Sequence, residues 1–89
     1  MNINNNTQLC RFELEVEGQL AVVDYILENN IYSIPRVYVP KQLEGKGIGS
    51  KLLGQTLEII ESKGAKIIPI CPFVTAYIKR HPEKKSLLA

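Results

Sequence analysis

At 89 residues and 10.0 kDa, with 45% apolar and 22% charged residues and a net charge of +2, the chain has room for one domain with one modest core. A two-domain enzyme with an interdomain cleft, a doubly wound nucleotide fold and a (β/α)8 barrel all need far more chain. The ordinary apolar fraction excludes disorder for most of it, and no apolar run nears the ~20 residues of a membrane span.

Residues 1–8 are polar and lack a basic start followed by an apolar stretch, so a loose tail rather than a signal peptide is expected, in a cytoplasmic protein. Residues 12–17 alternate apolar and acidic, the pattern of a strand with one buried face and one wet face. Glu17-Gly18 makes a tight turn. Residues 20–28 read as a second strand; their alternation is blurred, which leaves a short helix as the alternative. After the Asn29-Asn30 turn, residues 31–39 read as a third strand, with Pro35 at a bulge or an edge. Residues 40–47 form a polar, glycine-containing loop. A helix follows over 48–63, with an apolar stripe of Ile48, Leu52, Leu53, Thr56, Ile59 and Ile60, and Gly64 stops it. Residues 65–70 read as a buried strand, parallel to the third through a right-handed crossover. Pro72 opens a last helix that ends at His81-Pro82, and the remaining residues are frayed or weakly helical.

Two distant cysteines, Cys10 and Cys71, and a lone histidine, His81, make no metal set; free thiols are favoured over a disulfide. The charge is divided. Residues 1–35 hold one arginine against five carboxylates, net −4, and residues 36–89 hold ten Lys/Arg against four glutamates, net +6. A basic second half points to an anionic ligand there.

The segment that carries chemistry is Glu44-Gly45-Lys46-Gly47-Ile48-Gly49-Ser50-Lys51, at a strand-to-helix junction. Alternate glycines bring backbone N–H groups close to a ligand, and the helix start adds positive partial charge, a combination suited to phosphate or pyrophosphate. The alternative is a flexible loop before an ordinary helix. The order and spacing fit neither a Walker A motif nor a GxGxxG fingerprint nor a GxxG nucleic-acid loop.

Gly47 and Gly49 take the two small positions of the loop [Gln/Arg]-x-x-Gly-x-[Gly/Ala] that marks the GNAT N-acetyltransferases, just after a strand ending in Val39-Pro40. Pro69-Ile70-Cys71-Pro72-Phe73-Val74, then Tyr77-Ile78-Lys79-Arg80-His81-Pro82-Glu83, extend the match, as does Glu15-Val16-Glu17-Gly18. Over roughly residues 11–83 the chain resembles the small single-domain members of that family. The resemblance implies an α/β (α+β) chain in the minimal GNAT acyl-CoA N-acyltransferase fold over residues 9–89: antiparallel strands, a β-α-β crossover and a C-terminal helix. It implies acetyl-CoA or coenzyme A as cofactor and an amine acceptor, small molecule or protein, with no membrane partner and nucleic acid disfavoured, in a monomer or weak dimer. Cofactor contacts would come from Val39, Glu44, Gly45, Lys46, Gly47, Ile48, Gly49, Ser50, Cys71, Phe73, Lys79 and Arg80. Cys71 and Tyr77 would be the catalytic pair.

Each candidate has a plainer alternative. Cys71, whose thiol the resemblance puts near the acetyl group, is otherwise a buried structural cysteine. Tyr77, a general acid toward the CoA thiolate by resemblance, is otherwise a core aromatic one helical turn from Phe73. Lys79 and Arg80 meet phosphates or form a solvated face. His81 reads as a cap or surface residue rather than a base, and Cys10 as incidental. Two positions depart from the family pattern. Glu44, a carboxylate, stands where Arg or Gln is usual, to be turned outward or paired with Lys46; Arg36 and Tyr38 stand where His-x-Glu often provides a base. These departures keep a non-catalytic CoA-binding module as the alternative function, with a small basic nucleic-acid binder behind it.

Overall fold

A computed structural model describes residues 3–89; of the expected loose tail, residues 1 and 2 lie outside the described residues. The elements are β1 (Asn4–Asn6), β2 (Arg11–Val16), β3 (Gln19–Glu28), β4 (Ile31–Tyr38), a 3-10 turn (Lys41–Leu43), α1 (Ile48–Ser62), β5 (Lys66–Pro69), α2 (Pro72–Arg80) and a 3-10 stretch (Pro82–Leu87). The strands form one sheet in the order β1-β2-β3-β4-β5. The first three pairings are antiparallel and β4–β5 is parallel, as a helical crossover requires.

The alternation of β2 places Phe12 and Leu14 on the buried face. They join Ala21, Val23 and Tyr25 of β3, Tyr32 and Ile34 of β4 and Ile67 of β5 in one core, closed by Leu52, Leu53, Leu57 and Ile60 of α1 and Val74 and Ile78 of α2. β3 is a strand and not a helix. Its alternation is blurred because Val22, in register between Glu13 and Tyr38, is also buried, outside the core cluster. On α1, Leu57 is buried and Ile59 only half-buried, so the stripe consists of two i, i+4 rows, 48/52/56/60 and 53/57. Gly64, at φ +67, ends α1: its N–H bonds to Glu61 O (3.0 Å) and the N–H of Ala65 to Ile60 O (3.2 Å), a Schellman ending.

One expectation needs correction. Residues 4–6 are not loose: they pair with residues 11–13 of β2, and polar side chains hold them there. The Tyr25 hydroxyl donates to Asn5 Oδ1 (2.8 Å) and Asn6 Nδ2 to Glu13 Oε2 (3.0 Å). The chain end takes the helical alternative: Pro82–Leu87 is a 3-10 stretch, with Leu87 buried and Leu88 bridged to Ile67.

Pro35 marks a bulge. Asp24 pairs with Arg36 but Ile26 with Ser33, which leaves Tyr25 facing both Ile34 and Pro35. Ile34–Pro69 is also the last β4–β5 pair. The Ile34 carbonyl accepts the N–H groups of Ile70 (3.2 Å) and Cys71 (2.9 Å), and the chain then turns into α2. β4 runs on to Tyr38 with no strand on that side among the described residues. Neither proline has an N–H to extend the ladder.

Candidate functional site

The glycine segment lies at the end of β4 that has left β5. Pro40 leads into the 3-10 turn, whose Leu43 is buried and anchors the loop from below. Gly45 (φ +81) and Gly47 (φ +72) take left-handed backbone, and Gly47 is the N-cap of α1. The first bond of the helix runs from Lys51 N–H to Gly47 O (3.1 Å). The N–H groups of Gly45 through Ser50 therefore have no hydrogen-bond partner among the described residues, and no side chain caps the helix. With no carboxylate in the first turn, the positive end of α1 is left for an anion.

Gly49 is small for a different reason. Its backbone is ordinary, but a Cβ there would lie 3.2 Å from Phe73 Cζ and 3.3 Å from Val39 Cγ2. The Phe73 ring and Val39 thus close one wall of a cavity of about 220 Å³. Of the cofactor contacts expected from sequence, Val39, Glu44, Gly45, Gly47, Ile48, Gly49, Ser50 and Phe73 line this one cavity. Glu44 is exposed and on its wall. Lys46 is not its partner, as the sequence had left open; the Lys46 ammonium bonds instead to Glu17 Oε2 at 3.1 Å, on the β2–β3 turn.

Cys71 is a free, half-buried thiol at the N-cap of α2, packed against the core and lining neither cavity. Tyr77 lies elsewhere. Its hydroxyl faces α1 at Gly54, where a Cβ would be 2.8 Å away. It lines a second cavity of about 410 Å³ with Ser50, Lys51, Gly54, Gln55, Glu58, Glu83 and Lys84. The two side chains expected to act together thus share no cavity, and Ser50 lines both cavities. In the second cavity Lys84 bonds to Glu61 (3.1 Å), which holds its ammonium above the usual value. Lys79 and Arg80 are exposed in the last turn of α2, roughly 10 Å along the axis from Phe73, and line neither cavity.

His81 is a cap. Its N–H bonds to Tyr77 O and Ile78 O, its Nδ1–H donates to Tyr77 O (2.9 Å), and its ring stacks on Tyr77 at 4.0 Å between centroids. At the position of the missing base, Arg36 is tied to Asp24 (3.1 Å) and its guanidinium lies 4.7 Å over the Tyr38 ring. Sequence reasoning missed Glu17, which meets the loop across 29 residues, and the Lys51–Gln55–Glu58 row, whose i, i+3 and i, i+4 spacing reads as a solvated helix face. Among the described residues, no group of His, Cys, Asp or Glu is arranged for a metal, and no helix is long and apolar enough to cross a membrane.

A sequence profile described as GCN5-related N-acetyl-transferase matches residues 11–87. Among solved structures, the chain is similar to the NMR solution structure of a GCN5-like protein from Staphylococcus aureus, with a TM-score of 0.74 and 25% identity over 99% of this chain and 87% of that one. No curated protein matches the chain.

Proposed function

The chain belongs to the GCN5-related N-acetyltransferase family, and from that premise we propose that it binds acetyl-CoA and moves the acetyl group to an amine. One observation carries the reading: the run of unpartnered N–H groups from Gly45 to Ser50 lies at the end of β4 that has parted from β5. The residues present suit the cofactor, because the loop offers donors without side chains over them. A Cβ at Gly45 or Gly47 would meet nothing within 4 Å.

Acetyl-CoA supplies a thioester already activated toward amine attack. The N–H groups of residues 45–50 hold the pyrophosphate. Main-chain N–H groups following β4 polarise the acyl carbonyl as charge develops on its oxygen. Cys71, just past the last β4–β5 pair, is the thiol we assign next to the reacting sulfur. Tyr77 is the candidate acid toward the departing thiolate. Its hydroxyl faces Gly54 and not the loop cavity, so that role rests on the family resemblance. A cytoplasmic setting suits two free thiols.

A second reading, a CoA-binding module without turnover, is favoured by Glu44 on the cavity wall and by Arg36 and Tyr38 occupying each other where a base would stand. Thiol release from acetyl-CoA across a panel of amines separates the two. Amine-dependent release supports the transferase, and its loss in Cys71→Ser supports the cysteine's role. A raised melting temperature with acetyl-CoA but no release supports the module.

A further inference from the structure

Lys46 is the one cation between the glycines of the loop, and it is already engaged. Its partner, Glu17, sits in the two-residue turn between β2 and β3, with φ +53 followed by Gly18 at φ +75. Both central positions of such a turn require left-handed backbone, which suits Asn, Asp and Gly. A glutamate there is strained. The turn places a carboxylate opposite Lys46, 29 positions away in sequence, with 3.1 Å between Lys46 Nζ and Glu17 Oε2.

Both sides of the contact can let go. The Glu17 and Lys46 side chains are 66% and 48% exposed, so each is readily rehydrated when the pair opens. Lys46 is flanked by Gly45 and Gly47, neither of which has an obstacle within 4 Å of a Cβ position. An exposed pair of this kind is weak, and a ligand phosphate makes a stronger partner for an ammonium than a solvated carboxylate.

We propose that Glu17 sets the loop's affinity for pyrophosphate-bearing ligands: Lys46 leaves the Glu17 carboxylate to meet a ligand phosphate, and the broken pair is subtracted from binding. The proposal rests on the reading of residues 45–50 as the CoA pyrophosphate site. It distinguishes ligand classes, because pantetheine, which has no pyrophosphate, does not compete for Lys46.

The test is a double-mutant cycle by calorimetry, with wild type, Glu17→Gln, Lys46→Gln and the double variant titrated with CoA and with pantetheine. Glu17→Gln is expected to tighten CoA about two- to five-fold, the strength of one exposed pair. The same change on the Lys46→Gln background should alter CoA binding by less than about 1.5-fold, and pantetheine should respond to neither. Glu17→Asn, which suits left-handed backbone, should behave as Glu17→Gln and so excludes a folding defect as the cause. Unchanged or weaker CoA binding in Glu17→Gln overturns the proposal. So does equal tightening without Lys46, which would mean that the carboxylate acts only through its field. A wild type that does not bind CoA overturns the cofactor reading itself, and this inference with it. A wild type that binds CoA with no coupling overturns the Glu17 role alone.

Discussion

Gly54→Ala tests whether Tyr77 is held where the structure puts it. Gly54 is inside α1, where alanine is favoured over glycine by about 1 kcal/mol. The added Cβ would stand 2.8 Å from the Tyr77 hydroxyl oxygen but 3.8 Å from the next ring atom, Cζ. The hydroxyl must therefore move, and the ring is not free to follow. Tyr77 is 8% exposed and stacked on His81, which is itself bonded to the Tyr77 carbonyl. Overpacking of this kind costs about 1–3 kcal/mol, enough to cancel or reverse the helical gain. In Tyr77→Phe the obstacle is gone, and Gly54→Ala should raise stability by up to about 1 kcal/mol, or roughly 4–8 °C in a domain of this size. Denaturation of the wild type, both single variants and the double variant should give a coupling of about 1–3 kcal/mol. An equal gain from Gly54→Ala on both backgrounds would refute the placement of the phenol. If Tyr77 is also the acid, Gly54→Ala lowers turnover and leaves CoA affinity unchanged.

Thr56 is fully buried in α1 and its hydroxyl has no hydrogen-bond partner among the described residues. Thr56→Val keeps the shape and should raise stability by about 1 kcal/mol on chemical denaturation. Gly47→Ala puts a side chain on a residue at φ +72; it should cost about 1–2 kcal/mol and weaken CoA binding, as measured by thermal melts and titration. The Arg11 guanidinium, 2.6 Å from Glu13, holds that carboxyl below its usual 4.5, against the opposing effect of burial. A depressed carboxylate stabilises the fold above its unfolded-state value and loses that contribution as pH falls through the folded-state value. Glu13→Gln should therefore melt below wild type near neutral pH, and the gap should narrow as melts are taken to progressively lower pH below 4.5.

The central sheet was legible because its cues are local. Alternation in Phe12–Val16, the prolines at 35 and 72 and the glycines at 45, 47 and 64 each act within a few residues. Gly47 is a glycine because its backbone is left-handed, at φ +72. Gly49 is small because of Phe73 and Val39, which no spacing rule reveals. β1 was missed because three asparagines have neither apolar periodicity nor strand propensity; their pairing depends on Tyr25 and Glu13 from elsewhere in the chain. The 3-10 turn at Lys41–Leu43 was hidden in a polar loop by a single buried leucine. The Glu17–Lys46 pair and the Gly54–Tyr77 contact are long-range meetings of residues that individually read as a turn, a loop, a helix interior and a core aromatic.

Calorimetric titration of the wild-type chain with CoA and acetyl-CoA tests the account most directly. It should show saturable binding of both at one site per chain, weakened by Gly47→Ala and absent with RNA or DNA. No heat with either cofactor, together with strongly salt-dependent binding to nucleic acid, would contradict it.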